Sequence, residues 1–289
     1  MKIGHDLAEI EKRRGSRVLV FAATSLEIEL LPPLYDVLRE LGHTERLDVL
    51  FYCRGGAVVA ARRIALLLHQ FTDRLSFLVP DRCESSGTIA ALAAQEIVAG
   101  PAAVFSPVDP LLQAPPSLAG DRPPVISAQD VRLFGEMSRE WFGLAEAEAR
   151  QRALSVLCES IFPTTLTSFY RSTLEVEGVC LELLSLHMPR RSKQKAKIVE
   201  ALLFGHHSHR YPLTREDMGA LGLPLRGDGG TEDLAWEIAR HLRSSVGGGA
   251  RDTLEDDWFD AVLATRAGLR RRRRHPESLN PVWEAGKIE

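Results

Sequence analysis

DVLFYCRGGAVVAARRIALLL (residues 48–68) and RLSFLVPDRCESSGTIAALAAQEIVAG (residues 74–100) follow one plan twice. A short apolar run, rich in β-branched and aromatic residues, ends in small or polar residues, and a helical pattern follows. Runs of this length read as strands buried on both faces, with the helices between them as crossovers of a parallel sheet. Outward from this core, RVLVFAAT (17–24) supplies an earlier strand. Residues 26–41 carry helical periodicity, with Pro32-Pro33 suited to the first turn. EIVAG (96–100) supplies a fourth strand. The expected class is α/β.

Two strand-to-helix turns stand out, Arg54-Gly55-Gly56 and Glu84-Ser85-Ser86-Gly87. In parallel α/β sheets, ligands bind beyond the carboxyl ends of strands, where both turns lie. Each has an ordinary reading. A serine before a helix is a common N-cap, worth about 1 kcal/mol, and Gly-Gly is a common tight turn. Together they offer an oxygen nucleophile and backbone N–H donors for an oxyanion, the requirements of acyl transfer.

The order of these pieces resembles the serine dehydrogenase proteinase family, Clp-fold serine proteinases related to signal-peptide peptidase A within the Clp/crotonase superfamily. The resemblance rests on Arg54-Gly55-Gly56, Ser85-Ser86-Gly87-Thr88, Glu96-Ile97-Val98, Ser106-Pro107-Val108-Asp109-Pro110, and later Lys195-Ala196, His209-Arg210-Tyr211-Pro212 and Leu221-Gly222-Leu223. It spans roughly residues 7–225. It implies a Clp/crotonase-like repeated β-β-α spiral with a parallel sheet, Ser85 as nucleophile, and Gly55, Gly56 and the Ser86 amide as oxyanion hole. Arg54 stands where the family has proline, and Ser86 where it has a smaller residue.

A serine hydroxyl needs a base. Relatives use a Ser-His-Asp triad or a Ser-Lys dyad. Here no histidine lies between His69 and His187 and no lysine between Lys12 and Lys193. The candidates are Asp109, Lys195 and His209, with His187, Lys193, Lys197, His206 and His207 behind them. Asp109 before proline also suits a turn, and the lysines suit a solvated helix start. The histidines lack zinc-site spacing, and neither a metal nor another cofactor is expected.

The 289 residues, 45% hydrophobic, suffice for one sizeable core. A net charge of −3 argues against nucleic acid as a partner. The cysteines Cys53, Cys83, Cys158 and Cys180 show no paired spacing, which suits reduced thiols in the cytoplasm. Cys83 is a minor alternative nucleophile. The N-terminus lacks an apolar core for a signal peptide, and the most apolar stretch, 88–108, is broken by Gln95, Glu96, Pro101 and Pro107, so no membrane span is expected.

Residues 106–125 are proline-dense and read as a loop, and helical patterns dominate 129–186 and 193–203. The expected organisation is a proteinase domain over 1–225 and a helical C-terminal extension over 226–289, with a short helix around 258–267 and a disordered basic tail that includes Arg270 to Arg274. Three functions follow: a serine peptidase acting on peptide or protein substrates, a crotonase-type acyl-CoA enzyme, or an inactive Clp-fold assembly subunit. The resemblance also implies a homo-oligomer, a trimer or a multiple of it.

Overall fold

Four of the apolar runs pair as a parallel sheet in a computed structural model that describes residues 3–113, 125–143, 146–246, 257–275 and 280–288. Strands β1 (Arg17–Ala23), β2 (Thr44–Cys53), β3 (Thr72–Val79) and β5 (Glu96–Ala99) lie side by side and parallel. A short strand, β4 (Arg82–Cys83), pairs with the end of β2 and with β6 (Val104–Phe105), so the sheet divides where the chain enters the serine turn.

Alternation along the strands sends successive side chains to opposite faces. Leu19, Phe21 and Ala23 face one hydrophobic core, and Val18, Val20 and Ala22 face another. Register places Phe21 opposite Phe51 and Val49 opposite Phe77. The rings of Phe21, Phe51 and Phe77 therefore pack across three strands, with centroids 5.4 and 4.9 Å apart. The first core is closed by α2 (Leu31–Leu41), α3 (Val58–His69), α4 (Ser86–Ala91), α7 (Pro163–Ser185) and α8 (Ser192–Phe204). Pro32 and Pro33 sit in the first turn of α2, where a missing N–H costs no helical bond. The second core is closed by α1 (Gly4–Arg14) and α10 (Gly229–Ser245), through Leu7, Ile10, Ile238 and Leu242.

Part of the proline-dense segment forms an antiparallel strand pair. Strands β7 (Leu111–Gln113) and β8 (Val125–Ser127) pair antiparallel, and 114–124 lie outside the described residues. A helical segment follows: α5 (Ala128–Phe142), α6 (Glu146–Ser160), then α7 and α8, with the short α9 (Arg215–Ala220) between α8 and α10.

The C-terminal segment corrects two expectations. Where a short helix is expected around 258–267, residues Trp258–Thr265 form a strand, β9, buried over most of its length. The expected basic tail is a strand too. β10 (Gly268–Arg274) pairs with β9, and β11 (Val282–Gly286) pairs with β10. Residues 276–279 and 289 of that tail lie outside the described residues. Because β9 pairs antiparallel with β1, β9, β10 and β11 extend the central sheet instead of trailing from it.

The arginines are paired along the strand. Buried Arg272 forks onto Asp260 at 2.7 and 2.9 Å and reaches Glu27 at 2.9 Å. Arg274 contacts Asp260 and Glu27, Arg270 reaches Asp36 and Glu40, and Arg273 reaches Asp257 and Glu284. Arg271 stacks on Phe259.

A second ionic cluster joins the opposite ends of the strands. Arg14 of α1 grips Asp48 at 2.7 and 2.9 Å and contacts Glu96 at 2.8 Å and Asp228 at 3.2 Å. Arg46 and Arg74 also meet Glu96, at 2.9 and 3.0 Å. Burial alone would push the Glu96 carboxyl up. The Arg14 hydrogen bond and the charges of Arg46, Arg14 and Arg226 outweigh it and hold the group below the usual carboxylate range.

Candidate active site

Ser85 occupies a bend between β4 and α4 with φ 52° and ψ −116°, the sole non-glycine positive φ among the described residues. Such a conformation costs roughly 1–3 kcal/mol and persists only where its surroundings impose it. The Ser85 N–H donates to Ser106 Oγ at 2.7 Å, and the Ile89 N–H donates to the Ser85 carbonyl at 3.1 Å. Thr88 Oγ1 donates to the Cys83 carbonyl and accepts from the Ser106 N–H. The Ser85 side chain makes no capping bond to α4. The cap reading therefore fails, and Ser85 lines a cavity. The two serines also separate here: Ser85 lines the cavity, whereas Ser86 is 1% exposed and does not.

Opposite Ser85 stands the glycine turn. Gly55 and Gly56 both have φ 132°, a region L side chains rarely adopt. A Cβ on Gly56 would lie 2.2 Å from the Leu26 nitrogen, because Leu26 crosses the turn. Its N–H donates to the Gly55 carbonyl at 2.8 Å, and the Ala57 N–H donates to the Leu26 carbonyl at 2.9 Å. A Cβ on Gly55 would sit 3.5 Å from Ser85 Cβ, an ordinary contact, so it is the positive φ and not lack of space that calls for glycine there. The Gly55 N–H points away, onto Cys53 Sγ at 3.2 Å, while that thiol lies 3.1 Å from the Gly55 carbonyl. Among the described residues, no hydrogen bond occupies the N–H of Gly56 or of Ser86. Of the three residues expected at an oxyanion hole, Gly56 and Ser86 thus have available donors, and Gly55 contributes shape.

Burial pushes the Cys53 thiol up to about 12, against a lowering by its Gly55 contact, and pushes Cys83 well above its ordinary value. Both are fully buried thiols at neutral pH, which removes the cysteine nucleophile.

The loop after β6 and the connector after α8 complete the cavity. Asp109, 3% exposed, lies 2.9 Å through Oδ1 from His209 Nδ1. Its other oxygen accepts from Ser127 Oγ at 2.5 Å. Ser127 is the N-cap of α5, accepting from the Gln129 N–H within a capping box completed by Asp130. A carboxylate held at both oxygens fixes the imidazole, and an Nδ1–H given to Asp109 leaves Nε2 as the lone-pair nitrogen. Ser85, Gly55, Gly56, Asp109 and His209 all line one cavity of about 450 Å³. Among the described residues, no hydrogen bond joins Ser85 Oγ to His209. Arg54 and Glu175 add charge to the cavity walls.

Lys195 lies elsewhere, on α8, donating from Nζ to Ser185 Oγ at 2.6 Å and absent from the cavity lining. His187 and His69 bind the Leu92 and Ala93 carbonyls just beyond α4, at 2.9 and 2.8 Å. Burial lowers the His187 pKa, against a raising bond from Leu92, and the His69 and Arg191 charges lower it further. His206 stacks on Tyr211 with centroids 4.5 Å apart. Three contributors were given no role by the sequence: Ser106, Ser127 and Cys53. Ser127 carries the linear Ser-x-x-Asp capping pattern and Ser106 stands in the Ser106-Pro107-Val108-Asp109-Pro110 motif, but what Ser106 and Cys53 do arises from a contact distant in sequence and from a fold-specific bend.

The fold and this cavity define an α/β protein in which a serine-containing turn faces a glycine turn. Residues 5–120 match the ClpP-like SDH-type serine proteinase family, and that span contains both turns and Asp109. Two uncharacterized Methanocaldococcus jannaschii proteins, MJ1495 and MJ0137, are each 26% identical over 233 residues. These alignments cover 76% of this chain, and 70% and 71% of those proteins. Among solved structures, a mutant of the 1510-N membrane-bound stomatin-specific protease aligns with a TM-score of 0.43 and 14% identity, covering 83% of this chain and 93% of that one. An enoyl-CoA hydratase from Polaromonas sp. JS666 aligns at 0.39 and 13%, covering 80% and 76%. Among the described residues, no helix is long and apolar enough to cross a membrane.

Proposed function

We propose that the protein is a serine peptidase acting through an acyl-enzyme on Ser85, with His209 as general base and Asp109 as its orienting carboxylate. The observation that carries this reading is the Asp109–His209 pair, 2.9 Å apart, in the same cavity as a serine held at positive φ. In the first step Ser85 Oγ attacks the substrate carbonyl while His209 Nε2 takes the hydroxyl proton. The oxyanion forms toward the Gly56 and Ser86 N–H groups, donors of a kind worth about 3–4 kcal/mol each in catalysis. Asp109 holds Nδ1–H and balances the imidazolium charge. His209 then protonates the leaving amine, and a water, deprotonated by the same histidine, releases the acyl group. Lys195, bound to Ser185 outside the cavity, is not needed.

The match of residues 5–120 to a serine proteinase family supports this reading over a crotonase-type acyl-CoA enzyme, as does the serine facing the cavity. Four free cysteines suit a reducing cytoplasmic setting. The test is the rate of fluorophosphonate labelling of wild type, Ser85→Ala and His209→Ala. Labelling is expected to vanish in Ser85→Ala and to fall about 10²–10⁴-fold in His209→Ala. An unlabelled wild type, or full labelling of either variant, would refute the assignment.

A further inference from the structure

Ser85 holds a backbone conformation that its own side chain does not favour, and the restraint nearest to it is a side chain 21 residues away. The Ser85 N–H donates to Ser106 Oγ at 2.7 Å. Ser106 is 4% exposed, and its hydroxyl donates onward to the Pro107 carbonyl at 3.2 Å. Its own N–H is seated on Thr88 Oγ1 at 3.2 Å, and Thr88 Oγ1 donates to the Cys83 carbonyl at 2.7 Å. Thr88 is itself fully buried. Two buried hydroxyls thus tie the residue before the bend, the bend itself, the first helical turn and the loop leading to Asp109.

We infer that Ser106 is a positioning residue for the nucleophile: its hydroxyl, seated by Thr88, holds Ser85 at positive φ and thereby aims Oγ into the cavity. This rests on the serine-peptidase reading. The geometry has two consequences. By occupying the Ser85 N–H, Ser106 takes the nucleophile's own amide out of the oxyanion site and leaves the Ser86 amide as the donor beside Gly56. Ser106 also starts the Ser106-Pro107-Val108-Asp109 segment, so one hydroxyl sets the spacing between the nucleophile's bend and the carboxylate that orients His209. Without it, an N–H in a closed turn loses its partner, and the bend relaxes toward negative φ to find another.

The inference is tested on the full chain with Ser106→Ala and Ser106→Thr, reading fluorophosphonate labelling as a saturable rate constant separately from the fraction of protein labelled. For Ser106→Ala the maximal rate constant is expected to fall about 10–100-fold, the scale of a misplaced reacting group. The half-saturating probe concentration and the labelled fraction should stay near wild type. Ser106→Thr, which keeps the hydroxyl, should recover most of the rate. A merely structural role would lower the labelled fraction at an unchanged rate constant, and that result overturns the inference. So does a wild-type rate in folded Ser106→Ala, which leaves the peptidase reading intact. An unlabelled wild type sinks both. A crystal structure of Ser106→Ala gives a readout independent of activity: Ser85 should leave positive φ, and its retention near 52° would contradict the inference.

Discussion

At the residue scale the site turns on what small groups permit. Gly56 lies so close to Leu26 that one added methyl would meet the Leu26 nitrogen at 2.2 Å and its carbonyl oxygen at 2.5 Å. Gly56→Ala is therefore expected to break the Leu26 crossing, cost roughly 1–3 kcal/mol of stability from the forced φ, and slow labelling about 10²–10³-fold by displacing a donor. Urea unfolding and labelling rates measure the two effects, and a change in neither would show that the crossing is dispensable. Ser85, Gly55 and Gly56 were legible because linear motifs place them at strand ends, and Asp109 because it stands in the Ser106-Pro107-Val108-Asp109-Pro110 loop motif. The pairing of Asp109 with His209 was not, since 100 residues separate them and each had an ordinary alternative. Sequence left them as competing bases, and folding makes them partners.

At the element scale the arginine run shows where reading by period fails. Alternation reveals a strand only when the two faces differ in residue type, and five consecutive arginines erase that contrast. The information sat in the partners, Asp260, Glu27, Glu40 and Glu284, dispersed through the chain. Arg272 is the buried arginine of β10. Arg272→Ala strands Asp260, 3% exposed, beside the remaining Arg274. The expected loss is about 3–5 kcal/mol, read as a shift in the urea midpoint. Replacing Arg272 with Met and Asp260 with Leu together should cost much less, because apolar packing can substitute for a buried pair. An equal loss in both proteins would mean that the ionic geometry itself is required.

At the scale of the whole molecule, α1, β2, β5 and the cap of α10 meet at the Arg14–Asp48–Glu96–Asp228 cluster. Glu96 has its pKa lowered in the fold, so its ionised form binds there more strongly than in the unfolded chain. Its contribution to stability is complete above the ordinary carboxyl range, about pH 4.3, and is lost as pH falls through the lower folded value. The stability gap between wild type and Glu96→Gln should be widest at neutral pH and close on acidification. A gap that widens in acid would contradict the sign.

The helical segment leaves Trp141, Phe142 and Phe162 exposed at 77%, 67% and 71%. We propose, from the resemblance stated above, that the assembly is a trimer or a multiple of it, with this exposed helical segment available for contact. Light scattering that gives the 32.0 kDa monomer mass at every concentration would refute that expectation.

The central claim concerns one oxygen atom, and one measurement addresses it: fragmentation mass spectrometry of the fluorophosphonate-treated wild-type chain, resolving which hydroxyl carries the phosphonate. The account predicts a single adduct on Ser85, with Ser86 and Ser106 unmodified and the adduct absent in His209→Ala over the same interval. An adduct on Ser86, or none on Ser85 after prolonged treatment of folded protein, would contradict it.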